Sequence, residues 1–268
     1  MYRIGWFSTG RGKGSRDLLT VTLDSIRGGE IDAEISFVFS SREPGEAKGS
    51  DLFLELVRSC RIPLIYLSSQ NFRPQMRREG LAQWRLAYDR EVMKRLEGYE
   101  PDLCVLAGYM LIVGGEMCQR CRMINLHPAP PGGPTGTWRE VIWQLIESKA
   151  QSTGAMMHLV TPELDKGPLV SFCTFSIRGE PFDRYWKEIE GLSVEEVKRR
   201  QGEDNPLFAL IRRHGVIREF PLITTTIKAF SEGRVRAEGN RIVDSSGKPV
   251  NGYDLTPEID EIVRRETG

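Results

Sequence analysis

The sequence predicts an α/β protein in which a mostly parallel, twisted β-sheet carries helices on both faces. Three observations lead there. Apolar runs of strand length alternate with amphipathic stretches of helical period along most of the chain. Polar or glycine-rich segments separate strand from helix again and again, as successive βαβ connections require. One run, DLCVLAG at residues 102–108, is apolar throughout instead of alternating, the mark of a strand buried on both faces of a parallel sheet.

Taken in order, residues 2–8 (YRIGWFS) read as a short buried strand. The glycine-rich GRGKGS at residues 10–15 follows, then DLLTVTLDSIRGG, whose apolar spacing suits a helix stopped at Gly28 and Gly29. ISFVFS, residues 35–40, is a second strand, and DLFLELVRSC from Asp51 the helix after it. PLIYLSS at residues 63–69 is a third strand, residues 81–96 a helix, and residues 102–108 the doubly buried strand. MINLH at residues 123–127 is the next strand, TWREVIWQLIESK a helix, and AMMHLVT and LVSFCTFSI two later strands. The pattern is that of a doubly wound, Rossmann-like sheet. Beyond Arg178 it turns helical, through DRYWKEIEGLSVEEVKRR and a second stretch at residues 206–232, before turn signals at 238–240 and 245–247 mark a hairpin. A chain of 268 residues can bury about three-quarters of its unfolded surface in one core. A single domain is therefore expected over 1–268, with an α/β core over 1–178 and a helical insertion, C-terminal helix and hairpin over 179–268.

Composition narrows the function. Lys plus Arg and Asp plus Glu both number 37, so no bulk field recruits nucleic acid, although a local basic patch can still hold phosphate. The five cysteines form no disulfide framework and the opening MYRIGWFSTG is not a secretory leader, which points to a reducing cytoplasm. No apolar run approaches the ~20 residues of a membrane helix. Cys118 and Cys121 have zinc-knuckle spacing, but no second ligand pair follows, and no metal is expected. GRGKGS has neither the Walker spacing nor the dinucleotide fingerprint, so NAD and ATP are not expected either.

The densest chemical signal is Asn125-Leu126-His127-Pro128. Strand alternation puts Asn125 and His127 on one face of a strand end, where open α/β sheets keep their ligands. An amide can donate to an oxyanion, and an imidazole can pass protons near neutral pH. Asp165, in TPELDKGP at residues 161–168, can fix the tautomer of a neighbouring imidazole and support its charged form. By themselves, an N-x-H at a strand end and an Asp in a turn are more often structural than catalytic. His158, mid-strand, reads as structural. His214 reads as a cation at a helix end, and Trp138 and Trp143 as a helix face packed on the sheet.

AGYM at residues 107–110, INLHPAPPGG at 124–133 and TGAMMHLVTPELDKGP at 153–168 together resemble the folate-dependent formyltransferases. Within that family the likeness runs to the branch that formylates glycinamide ribonucleotide in de novo purine synthesis. It extends over most of the chain, through SSRE at 40–43, RLAYDREV at 85–92 and FPLITTTIKAFSEGRVR at 220–236. The resemblance implies 10-formyltetrahydrofolate as co-substrate, no metal, and a phosphorylated small-molecule amine as acceptor, with a homodimer possible. It assigns Asn125, His127 and Asp165 to catalysis. It assigns Gly14, Ser15, Arg16 and Arg85 to the amine substrate, and Tyr109, Met110, Leu111, Val160, Thr161 and Glu163 to the folate.

The sequence also departs from that family. Arg16 stands where asparagine is usual, and APPGGPTGTW after His127 lacks a further histidine. Val216 falls where a ribose-binding glutamate is expected, with Glu219 able to serve only in a shifted register. Residues 179–218 exceed the family's usual length. The acceptor alternatives are another small amine, such as an amino sugar nucleotide, or no acceptor at all in a folate-binding protein without catalysis.

Overall fold

The computed structural model describes residues 1–267. β1 (Tyr2–Ser8) runs through the glycine turn into α1 (Lys13–Arg27), and β2 (Ala33–Ser40), α2 (Lys48–Ser59) and β3 (Leu64–Tyr66) follow. α3 (Pro74–Glu79) and α4 (Leu81–Arg95) lead to β4 (Leu103–Leu106), α5 (Gly115–Arg120) to β5 (Met123–His127), and α6 (Trp138–Glu147) to β6 (Ser152–Leu159) and β7 (Leu169–Ser176). α7 (Asp183–Glu188), α8 (Val194–Arg200) and the 26-residue α9 (Pro206–Ser231) make up the helical segment. β8 (Val235–Glu238), β9 (Arg241–Asp244), β10 (Tyr253–Asp254) and α10 (Thr256–Thr267) complete the chain.

Eight strands form one sheet in the order β10-β7-β6-β5-β4-β1-β2-β3. The run from β3 to β5 is parallel, and β6 lies antiparallel to both of its neighbours. Strand order reverses direction between β1 and β4, so the carboxyl ends of these two strands open a crevice between them, the place where doubly wound sheets bind ligands. Side-chain alternation divides the apolar residues between the two faces. Ile4, Trp6, Val38, Val105 and Ile124 meet α1, α2 and the C-terminal half of α9 through Leu19, Phe53, Leu222 and Ile223. Phe7, Phe37, Phe39, Leu106 and Met123 meet α4 and α5 through Trp84, Tyr88 and Met117.

A third apolar cluster was not foreseen. α6 packs through Ile142 and Ile146 with Phe182 and Trp186 of the inserted segment and with Phe208 and Ile211 of α9. Trp143 lies 4.6 Å and Trp138 5.8 Å from the Phe208 ring, so these tryptophans face α9 and not the sheet, because the insertion swings the start of α9 across α6. His214 likewise does not end a helix. α9 begins at an Asn205 cap that accepts the Phe208 N–H at 3.0 Å and continues past Gly215 and Pro221 to Ser231. His214 therefore sits mid-helix, 4.9 Å from the Phe182 ring, and burial lowers its pKa, with Arg218 and Arg213 adding to the shift. The expected hairpin is β8–β9, but it stands apart as a two-stranded sheet, whereas β10 returns to pair in parallel with β7 in the main sheet.

Candidate active site

At the crevice lies a cleft of about 1060 Å³ that runs from the glycine turn before α1 to the carboxyl ends of β4 and β5. Its floor is built by close backbone approach. Gly108, at φ +71°, has Ser15 Oγ 2.6 Å from where a β-carbon would stand, so only glycine lets the segment after β4 touch the start of α1. Thr9 ties the two together: its N–H donates to the Gly108 carbonyl at 3.0 Å, and its hydroxyl accepts the Met110 N–H at 2.8 Å. Further along, the buried Asp89 accepts the Gly114 N–H at 2.7 Å. Burial raises the Asp89 carboxyl to about 6, against the opposing Gly114 hydrogen bond and the Arg85 charge.

Asn125, His127 and Asp165 converge on this cleft, together with His158. β5 and β6 pair with Asn125 opposite His158. His158 Nδ1 lies 2.8 Å from the Leu159 carbonyl and so carries the proton, which leaves Nε2 to accept from the Asn125 amide nitrogen 3.2 Å away. That contact fixes which way the Asn125 amide faces and leaves its second N–H for a ligand. His158, which the sequence reads as structural, carries one signal of its position: it is a polar residue next to the end of the strand in an otherwise apolar run.

Asp165 occupies the left-handed region at φ 54°, which aspartate tolerates better than most residues. The turn depends on Gly167, where a β-carbon would lie 1.7 Å from the Leu159 carbonyl oxygen. This geometry puts Asp165 Oδ2 3.4 Å from His127 Nδ1 and within 3.1 Å of the Gly136 N–H, while Oδ1 lies 3.7 Å from His158 Nε2. Burial alone would raise the Asp165 pKa, but His158, His127 and the Gly136 N–H outweigh it and hold the carboxyl below its ordinary value.

His127, 2% exposed, has Nε2 2.8 Å from the Pro134 carbonyl. Burial is the largest influence on it and lowers its pKa, with the Pro134 carbonyl and Asp165 opposing and His158 adding to the depression. The ring therefore rests with one proton, on Nε2, and Asp165 is placed to stabilise a second on Nδ1. The segment 128–137 thus closes over the pair, pinned by Pro134 to His127 and by Gly136 to Asp165. It ends in a capping box between Thr137 and Glu140 that starts α6.

Gly14, Ser15, Tyr109, Met110, Leu111, Val160, Thr161 and Glu163 all line the same cleft. Arg16 and Arg85 do not. Arg16 turns its guanidinium to the carbonyls of Gly12 and Gly49, at 3.5 and 3.4 Å, because one turn into α1 its side chain leaves on the side of α2. Arg85 is half-buried on α4, on the Asp89 side of the sheet. The cleft instead receives Arg212, Val216 and Glu219 from α9. Val216 and Glu219 are three residues apart on one helix, so both reach the cleft with no change of register. Among the described residues, no group of three or more His, Cys, Asp or Glu side chains is arranged to hold a metal ion.

An amide, an imidazole and a carboxylate that converge at the carboxyl end of β5, on a cleft that opens at the switch point of an open α/β sheet, are the groups that acyl-type transfer uses. The formyl transferase family model matches residues 10–178, and the chain belongs to that family. The phosphoribosylglycinamide formyltransferase of Escherichia coli is 30% identical over 249 residues, covering 90% of this chain and 94% of the relative. The protein of the same description in Haemophilus influenzae is 27% identical, covering 88% and 92%. Among solved structures, glycinamide ribonucleotide transformylase 1 from Symbiobacterium toebii superposes with a TM-score of 0.65 at 26% identity, covering 91% of this chain and 94% of that one.

Proposed function

We propose that this formyltransferase moves a formyl group from 10-formyltetrahydrofolate to the amine of glycinamide ribonucleotide, as in purine synthesis. The observation that carries the reading is the convergence of Asn125, His127 and Asp165 on a cleft of about 1060 Å³ that continues from them to the segment after β4 on one side and to the glycine turn before α1 on the other. The folate end is the segment of Tyr109, Met110 and Leu111 facing Val160, Thr161 and Glu163. The amine end is the turn at Gly14 and Ser15, where N–H groups at the start of α1 have no side-chain cap.

In the reaction the amine nitrogen bonds to the formyl carbon and the carbonyl oxygen takes up negative charge. Asn125 donates its second amide N–H to that oxygen. His127 takes the proton from the attacking nitrogen and returns it to the folate nitrogen as the carbon–nitrogen bond to folate breaks, while Asp165 stabilises the imidazolium between the two transfers.

The test is a spectrophotometric assay with a 10-formyltetrahydrofolate analogue and glycinamide ribonucleotide, run beside Asn125→Ala. Removal of one oxyanion donor is expected to lower kcat about 10²- to 10³-fold. Analogue binding without turnover would transfer the reading to another amine, and a fully active Asn125→Ala enzyme would remove that residue from the mechanism.

A further inference from the structure

Arg212 is a cleft residue that neither the sequence motifs nor the mechanism uses. It stands in the first half of α9 and is held from two sides. Its Nη1 donates to Glu219 Oε1 at 2.7 Å, across two turns of the helix. Its guanidinium lies over the Trp138 ring, 4.7 Å from the centroid. Glu219 is itself deeply buried, its side chain 7% exposed, and takes its counter-charge from Arg212. A guanidinium fixed by a carboxylate and an indole has little rotamer freedom left to lose on binding a ligand.

Its other terminal nitrogen has a definite target. Nη2 stands 3.5 Å from where a β-carbon on Gly14 would begin, directly over the first turn of α1. That turn has no side-chain cap, and Arg11 and Arg213, which line the same end of the cleft, enter no ion pair among the described residues. We infer that Arg212, oriented by Glu219 and Trp138, is the residue that makes the enzyme selective for an acceptor bearing a phosphate monoester: the anion sits between the α1 backbone N–H groups and Nη2. This deepens the proposed reaction and rests on it for the identity of the amine. The phosphate contact itself can be measured without turnover. The arrangement also supplies the role left vacant by Arg16, which faces Gly49.

Arg212→Met alone strands a buried Glu219 carboxylate and risks the fold, so the decisive variant is R212M/E219Q, which removes both charges and keeps the volumes. Titration calorimetry with inorganic phosphate on the full-length chain is expected to show affinity about 10- to 150-fold weaker than wild type, the loss expected for one charge-assisted hydrogen bond. Affinity for the 10-formyltetrahydrofolate analogue should be unchanged. With glycinamide ribonucleotide the loss should fall on KM, with kcat within a few-fold. Phosphate binding within twofold of wild type in R212M/E219Q, no phosphate binding by the wild type at millimolar concentration, or an equal loss of both ligands would each overturn the assignment. A wild-type enzyme that binds phosphate through Arg212 but does not formylate glycinamide ribonucleotide would overturn the choice of amine and leave the assignment standing.

Discussion

Asp165→Asn separates charge from shape at the catalytic centre. Asparagine tolerates the left-handed backbone at φ 54°, and its amide oxygen can still accept the Gly136 N–H at 3.1 Å, so the turn and the overlying segment 128–137 are retained. What disappears is the negative charge 3.4 Å from His127 Nδ1, on a carboxylate only 5% exposed. At an effective dielectric of about 20, that pair attracts by about 5 kcal/mol when the imidazole is protonated. At about 1.4 kcal/mol per factor of ten this sets a ceiling of about 4,000-fold on the loss in kcat, and a loss of about 10²- to 10³-fold is expected because an asparagine hydrogen bond recovers part of it. The direction of the pH profile follows as well. In the proposed mechanism the neutral His127 is the base, and its pKa lies below the ordinary 6.5, so wild-type activity is expected to fall only as pH drops through that depressed value. Without Asp165 the acid limb moves lower still, because the carboxylate was favouring the charged ring. Stopped-flow turnover across pH 5 to 8, with far-UV circular dichroism to verify the fold, measures both effects. Turnover within tenfold of wild type, or an acid limb that moves upward, refutes the role assigned to Asp165.

Two further outcomes are expected. His158→Leu removes the acceptor that orients the Asn125 amide and should cost about tenfold in kcat, about the value of one hydrogen bond; combined with Asn125→Ala, the losses should not add, and additive losses would show that His158 acts elsewhere. Asp89→Asn should stabilise the protein at pH 7.5. The folded carboxyl titrates at about 6 against an ordinary 3.8, so above pH 6 its ionised form burdens the fold by up to about 3 kcal/mol. The advantage of the variant should shrink as pH falls through about 6 and be gone near 3.8, which thermal melts at several pH values will follow.

The parts of the fold that obey local rules were legible in the sequence. β1 and β5 have the expected bounds, and α9 follows them to within a residue, because strand alternation, an Asn-Pro start and apolar periodicity are written locally. β10 was not legible: two residues with exposed side chains join the sheet only because β7 presents an edge beside them. At the site, Asn125 and His127 follow from alternation on one strand, whereas the nearness of Asp165 depends on a turn that only tertiary packing closes. Glu219 illustrates the remaining gap. Position-by-position matching placed Val216 at the site and set Glu219 aside, yet on a helix the two share a face. Arg16 lies outside the cleft for the complementary reason, since one residue beyond Ser15 the helix has already turned its side chain away.

The cleft draws its two kinds of wall from separate parts of the chain. The groups proposed to handle protons belong to β5, β6 and the turn that follows, locked by strand register, whereas the wall over the glycine turn before α1 is one face of α9, anchored at its far ends in two different apolar clusters. An exchange along that face, of Val216 alone or of Arg212 and Glu219 together, therefore changes the wall over the α1 turn while the strand register that sets Asn125, His127 and His158 stays in place.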